Sequence, residues 1–137
     1  MADKSYLAGI QPRLQEIITG IGELFADRVL VVIDRANITV AKNDTWTYVF
    51  PFRLVGETSG LVLPYTGTIG AGVALTTGSG PTPTVDSATP AVTNGSGTVT
   101  VSHGDTGWDT GDVATLTLTY TNLRGATDTD TATVTMS

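Results

Sequence analysis

Thr45-Trp46-Thr47-Tyr48-Val49-Phe50-Pro51-Phe52 is the stretch that decides the fold class. Its even positions hold Trp46, Tyr48, Phe50 and Phe52, so every second side chain is a large ring. Period two is the signature of an extended strand, in which alternate side chains share a face. A helix would scatter the same four rings around its circumference. One aromatic face on a strand can be a ligand-stacking platform or a core. The core is favoured, because large apolar side chains dominate interior burial. Pro51 lacks an amide donor, which predicts that this strand runs along an edge or bulges there.

The same alternation recurs on both sides of that stretch. Arg28 to Ile33 (RVLVVI) is rich in β-branched residues, and Ile38 and Val40 alternate with Asn37 and Thr39. Farther on, Val99 and Val101 alternate with Thr98 and Thr100. Leu116, Leu118 and Tyr120 alternate with Thr115, Thr117, Thr119 and Thr121. Ala132, Val134 and Met136 alternate with Thr131, Thr133 and Thr135. These segments predict half-buried strands with threonine facing outward. Between them lie turn-forming clusters: Asn43-Asp44, Gly56, Ser59-Gly60, Gly78-Ser79-Gly80-Pro81, Asn94-Gly95-Ser96-Gly97, Gly104 to Gly111, and Arg124-Gly125. Short strands punctuated in this way suggest a sandwich with Greek-key connections. Residues 76–97 read either as a long loop or as two short edge strands.

The N-terminal residues follow a different rule. Leu7, Ile10, Leu14, Ile17, Ile21 and Leu24 are separated by alternating steps of three and four, a heptad seam. Pro12 suits a first helical turn, so an amphipathic helix is expected from about Gln11 or Pro12 to Ala26. Gly20 and Gly22 each weaken it by roughly 1 kcal/mol relative to alanine, and a helix of about four turns is marginal alone. It needs a surface: its own sandwich, or sister chains. Leucine at one seam position with isoleucine at the other tilts a parallel coil toward three or four strands. The organisation expected is therefore an arm and helix over 1–27 and a β-sandwich over 28–137.

Bulk properties limit the function. The 137 residues suit one domain, and with no cysteine there is no disulfide, zinc-thiolate site or thiol nucleophile. Net charge is −6; six of the seven basic residues lie in 1–53, and after that only Arg124 is basic against seven acids. No cationic footprint for nucleic acid or an anionic membrane surface is visible. No apolar run approaches the roughly 18 residues of a membrane span. The start, Met1-Ala2-Asp3-Lys4-Ser5, has no long apolar run behind it, so folding in a cytoplasm is expected.

A search for reactive constellations finds little. His103 is the single histidine. Its neighbour Ser102 would point to the opposite face of a strand, so a solvated loop histidine is favoured over a catalytic one. Asp105, Asp109 and Asp112 form a calcium candidate, but their spacing departs from the helix-loop-helix calcium loop. An acidic, solvated turn with Trp108 covering the end of the core is the simpler expectation. Asp128 and Asp130 share a face of the last strand and read as charges on an exposed edge that discourage strand pairing. The glycines from Gly67 to Gly72 have the wrong order for a dinucleotide fingerprint, and Asn37-Ile38-Thr39 reads as part of a strand despite matching a glycosylation sequon. No catalytic residue, cofactor or enzyme activity is expected.

Asn37 to Phe50 (NITVAKNDTWTYVF) resembles the opening of the N-terminal immunoglobulin-like domain of bacteriophage baseplate upper proteins: a strand, a short turn ending in Asp-Thr, then an aromatic strand. Gly56 to Gly67 (GETSGLVLPYTG) is similar to the following segment, with Leu63-Pro64-Tyr65 in the place of a short apolar strand. Residues 83–102 are similar to the next, in which glycine precedes a strand. Asn43 stands where that pattern has glycine. The resemblance spans roughly residues 36–136. It implies a mainly β, immunoglobulin-like antiparallel β-sandwich, here preceded by a short N-terminal amphipathic helix, and carries no catalytic residues. The function it implies is structural: a capsid decoration (cement) or head-fibre protein, made in the host cytoplasm and placed on the capsid surface of the virion. The expected partners are two sister chains in a homotrimer, through Leu7, Ile10, Leu14, Ile17, Ile21 and Leu24, and the major capsid protein or another virion protein. A tail or baseplate adaptor is the nearest alternative. A carbohydrate-binding module using exposed aromatics such as Trp108 and Tyr65 is the alternative of another class.

Overall fold

The computed structural model describes residues 28–35, 37–41, 45–104 and 107–137. The expected helix and all six seam residues lie outside them. The strands are β1 (Val29–Ile33), β2 (Ile38–Val40), β3 (Trp46–Gly56), β4 (Gly67–Thr68), β5 (Gly70–Thr77), β6 (Thr84–Val85), β7 (Ala91–Val92), β8 (Ser96–His103), β9 (Val113–Thr121) and β10 (Thr127–Met136). One sheet has the order β1-β3-β8-β6 and the other β2-β10-β9-β5, with a small β4-β7 pair beside them. The expected all-antiparallel arrangement needs one correction: β2 runs parallel to β10, pairing Ile38 with Val134 and Val40 with Met136. Four residues, 34–37, separate β1 from β2. The first two described strands thereby serve one sheet and then the other.

The two four-stranded sheets are sandwich-like, sharing one core. Phe50, Phe52 and Leu54 of β3, Val99 and Val101 of β8, Leu116 and Leu118 of β9, and Val134 and Met136 of β10 are each at most 1% exposed. Each such side chain contributes about 1.5–3 kcal/mol by leaving water. The alternation read from the sequence is the alternation of burial. Val99 and Val101 are buried while Thr98 and Thr100 are not, and β9 reads intermediate-buried over its first eight residues. The aromatic face of β3 is core, with Tyr48 the one partly exposed member under the Arg35 guanidinium, 5.0 Å from its ring centre.

Pro51 lies in a central strand, not at an edge, because β3 is flanked by β1 and β8. The position tolerates proline because of where β1 stops. The Pro51 carbonyl accepts from Asp34 N at 2.8 Å, so its ring nitrogen faces that same side. β1 ends at Ile33, paired with Phe52, and the missing donor falls just past it. Residues 76–97 contain the two short strands β6 and β7 instead of one long loop. Leu63-Pro64-Tyr65 is not a strand; the nearest pairing is a single bridge between Val55 and Val62.

Asp128 and Asp130 also do something other than expected. They sit on the inward face of β10, opposite Tyr120 and Leu118, in line with Ala132, Val134 and Met136. Asp128 accepts from Val31 N at 3.0 Å and Asp130 from Ile33 N at 2.8 Å. These amides point away from β3 along the outer edge of β1. The carboxylates therefore take the place of a further strand, and the edge they protect is that of β1, not their own.

Candidate interaction surface

The strand directions define two ends. β1 starts, β3 finishes and β10 starts at one end; β3 starts, β8 finishes and β10 finishes at the other. The 11 residues of β3 put roughly 33 Å between them. Large apolar side chains exposed among the described residues are Val49 at 44%, Leu61 at 69%, Val62 at 46% and Leu123 at 85%. Three of these four lie in connections at the first end. Single exposed apolar residues are ordinary; three of the four at one end make that end the candidate for contact.

That end is built from three connections. After β3, Gly60 N donates to Gly56 O at 2.8 Å and Gly56 N to Leu61 O at 3.0 Å, a tight turn that presents Leu61 and Val62 outward. Between β7 and β8, Gly95 N donates to Tyr65 O and Leu54 N to Gly95 O, both at 2.7 Å. Gly95 has φ +82°, and a Cβ there would meet the Leu63 carbonyl and the Val62 side chain, so only glycine lets the two connections close on each other. Between β9 and β10, the Asn122 side-chain oxygen accepts from Arg124 N at 2.9 Å and Ala126 N at 3.0 Å, holding Leu123 at the tip. Tyr65 packs edge-on to Tyr120, ring centres 5.5 Å apart, and so ties the first connection to the strand that leads into the third. Arg28 stands at the same end. Its carbonyl accepts from Glu57 N at 2.8 Å, and its guanidinium meets Asp128 at 3.0 Å. The chain preceding Arg28, which contains the seam, therefore joins the fold at the end that carries Leu61, Val62 and Leu123.

The opposite end holds His103, Trp108, Asp109 and Asp112. His103 is 4% exposed, not a solvated loop residue. It stacks on Trp46 with ring centres 5.8 Å apart and meets Trp108 edge-on at 5.0 Å. Trp108 covers the end of the core as expected. It is 0% exposed, and its indole N–H donates to Pro81 O at 2.6 Å. Tyr65 is half-buried and donates its hydroxyl to Thr68 O at 3.2 Å. Neither is the exposed aromatic that a glycan platform requires. Of the calcium candidates, Asp105 lies outside the described residues, and Asp109 is exposed. Asp112 is 5% exposed rather than solvated. Its carboxylate accepts from Asp109 N at 3.0 Å and packs against the Gly78 and Gly80 backbone. It braces the turn before β9. Among the described residues no three His, Cys, Asp or Glu side chains are grouped to hold a metal ion. An open depression of about 300 Å³ is lined by Thr45, Trp46, Thr47, Ser102, His103 and Gly104. Its lining mixes the hydroxyl-bearing Thr45, Thr47 and Ser102 with the Trp46 and His103 rings, and it opens to solvent.

Sequence reasoning missed the loop end. Its signal was present as Leu61-Val62 and Leu123, apolar residues inside glycine- and asparagine-marked turns, where polar residues are usual. No protein-family model and no curated protein sequence matches the chain. Among the described residues no helix is long and apolar enough to cross a membrane.

Proposed function

We propose that this chain is a non-catalytic structural protein of a phage virion, a capsid decoration or head-fibre protein that assembles as a trimer and binds the capsid surface. One observation carries the contact role: the exposed leucines and valine gather at the end where the seam-bearing N-terminal segment joins the sandwich. Loops held on a rigid scaffold are the usual place for binding residues, and here they point where the seam also needs a surface. The immunoglobulin-like part of the reading is supported by strand order. Four strands in the order β1-β3-β8-β6 face β10-β9-β5, the A-B-E-D and G-F-C arrangement of that fold. In that arrangement the connections after the second strand and between the last two lie at one end, as they do here. The inter-sheet disulfide of antibody domains has no counterpart in a chain without cysteine. The virion assignment rests on the resemblance of residues 36–136 to the phage domain.

Co-sedimentation with capsids stripped of decoration tests the assignment. Saturable binding at a fixed number of copies per capsid is expected. Absence of capsid binding, with antibody labelling confined to the tail, would replace it with the tail or baseplate adaptor. Absence of the protein from purified particles would overturn both.

A further inference from the structure

We infer that Leu61, Val62 and Leu123 continue the inter-subunit interface begun by the N-terminal seam, so that the loop ends of three sister sandwiches pack together around the symmetry axis. This inference rests on the trimer reading above. It begins from a shortage. After Pro12 the seam retains only Leu14, Ile17, Ile21 and Leu24, with Gly20 and Gly22 among them. A coil of about two heptads weakened by two glycines is marginal. A stable interface buries roughly 800 Å² per partner, and so short a seam calls for more contact from whatever lies beside it.

Chain length says what lies beside it. Leu24 precedes Arg28 by four residues, at most about 14 Å of extended chain. Arg28 is fixed to the sandwich by the Glu57 N–H and by Asp128. A seam gathered at an axis therefore brings the loop end of each sandwich close to that axis. The opposite end, roughly 33 Å away along the strands, stays clear of it. Three of the four large apolar side chains exposed among the described residues also lie at the loop end: Leu61 at 69%, Val62 at 46% and Leu123 at 85% exposed. The outer edge of β1, the nearest alternative for pairing copies, is occupied by Asp128 and Asp130. Side-chain contact through the loop tips, not strand addition along β1, is the association that this end permits. In a closed cyclic assembly each copy presents the same end, and the three tips recur on every subunit.

Sedimentation equilibrium of the full chain over a concentration series is the test, with Leu61→Asp and Leu123→Asp compared against Val49→Asp. Val49 is the exposed apolar residue away from that end. Each loop variant is expected to raise the concentration for half-assembly by tenfold or more, the scale of one leucine side chain left in water per subunit, while Val49→Asp stays within threefold of wild type. Near-ultraviolet circular dichroism, dominated by the buried tryptophans, confirms that each variant is folded. A second arm needs no disruption. The chain has no cysteine, so Leu123→Cys places a single thiol on each copy, and a short bis-maleimide is expected to join copies through it but not through Val49→Cys. A trimer whose loop variants assemble like wild type and whose Leu123→Cys copies do not cross-link overturns this inference and leaves the trimer standing. A wild-type chain that stays monomeric throughout the series overturns both.

Discussion

Asp128 and Asp130 hold the amides of Val31 and Ile33 across a sequence separation of 97 residues. Removing either carboxylate leaves a half-buried N–H without its charged acceptor, at a cost of about 1–3 kcal/mol. Asp130→Ala is therefore expected to lower the unfolding free energy measured by urea titration by that amount, and with it the midpoint; Asp130→Asn, which keeps an acceptor oxygen, lowers both by less. The double alanine variant opens the β1 edge and is expected to scatter light on concentration, where wild type stays clear. Equal midpoints for all variants would refute the capping role. Trp108→Ala removes a 0% exposed side chain and is expected to cost about 3–5 kcal/mol, a large part of the roughly 5–15 kcal/mol that a domain possesses. Retention of the wild-type melting temperature would contradict its place in the core. At this scale the sequence was only partly legible. Burial of Val99, Leu116 and Val134 follows from local alternation. The capping by Asp128 depends on a partner that local pattern cannot show. His103 looked like a loop residue because Trp46 and Trp108, the rings that enclose it, come from other segments.

Strands whose residues alternate cleanly were readable, and those defined by their neighbours were not. β8, β9 and β10 fall where threonine alternates with aliphatic residues. β5 (GAGVALTT) opens with glycine and alanine, poor strand formers, and exists because β9 supplies a ladder from Thr119 to Val113. Its first outward amide, on Ala71, is satisfied by Ala88 O at 2.9 Å. Pro51 misled in the other direction: one missing donor argues for an edge, but the strand is central and its partner simply stops one pair earlier. The loop end is legible as turns, not as a surface, since exposure depends on how three connections meet. Gly95→Ala tests that meeting. With φ +82° and the Leu63 carbonyl in the way, alanine is expected to cost more than the ~1 kcal/mol of an ordinary glycine replacement in a strained position, and to shift the Tyr65 and Tyr120 ring resonances together. Unmoved tyrosine resonances would mean that the connections are not coupled.

Across the whole molecule, pairing between distant segments dominates. β1 lies against β10, and the ladders β3–β8 and β5–β9 pair residues that lie from 36 positions apart (Thr77 with Val113) to 57 apart (Trp46 with His103). Such topologies must close long loops before contacts reward them, so refolding is expected on the millisecond-to-second scale rather than in microseconds, as stopped-flow tryptophan fluorescence would record. The mainly β, sandwich-like layering was legible at this scale because patterning decides layers, whereas the crossing from β1 in one sheet to β2 in the other was not. That crossing has a mechanical consequence. Arg28 stands beside Asp128 at the start of β10, and Ser137 follows its finish, where Ser137 N donates to Val40 O of the parallel β2; the two points therefore lie at opposite ends of the sandwich. Tension applied between these points shears β1 along β3 first and, once β1 is released, drags β2 and β10 past each other, loading the Ile38–Val134, Thr39–Thr135 and Val40–Met136 pairs at the same time. An unzipping geometry would instead break them singly under a smaller pull. A cargo attached after Ser137 would be held away from the loop tips on a strut that resists being stretched.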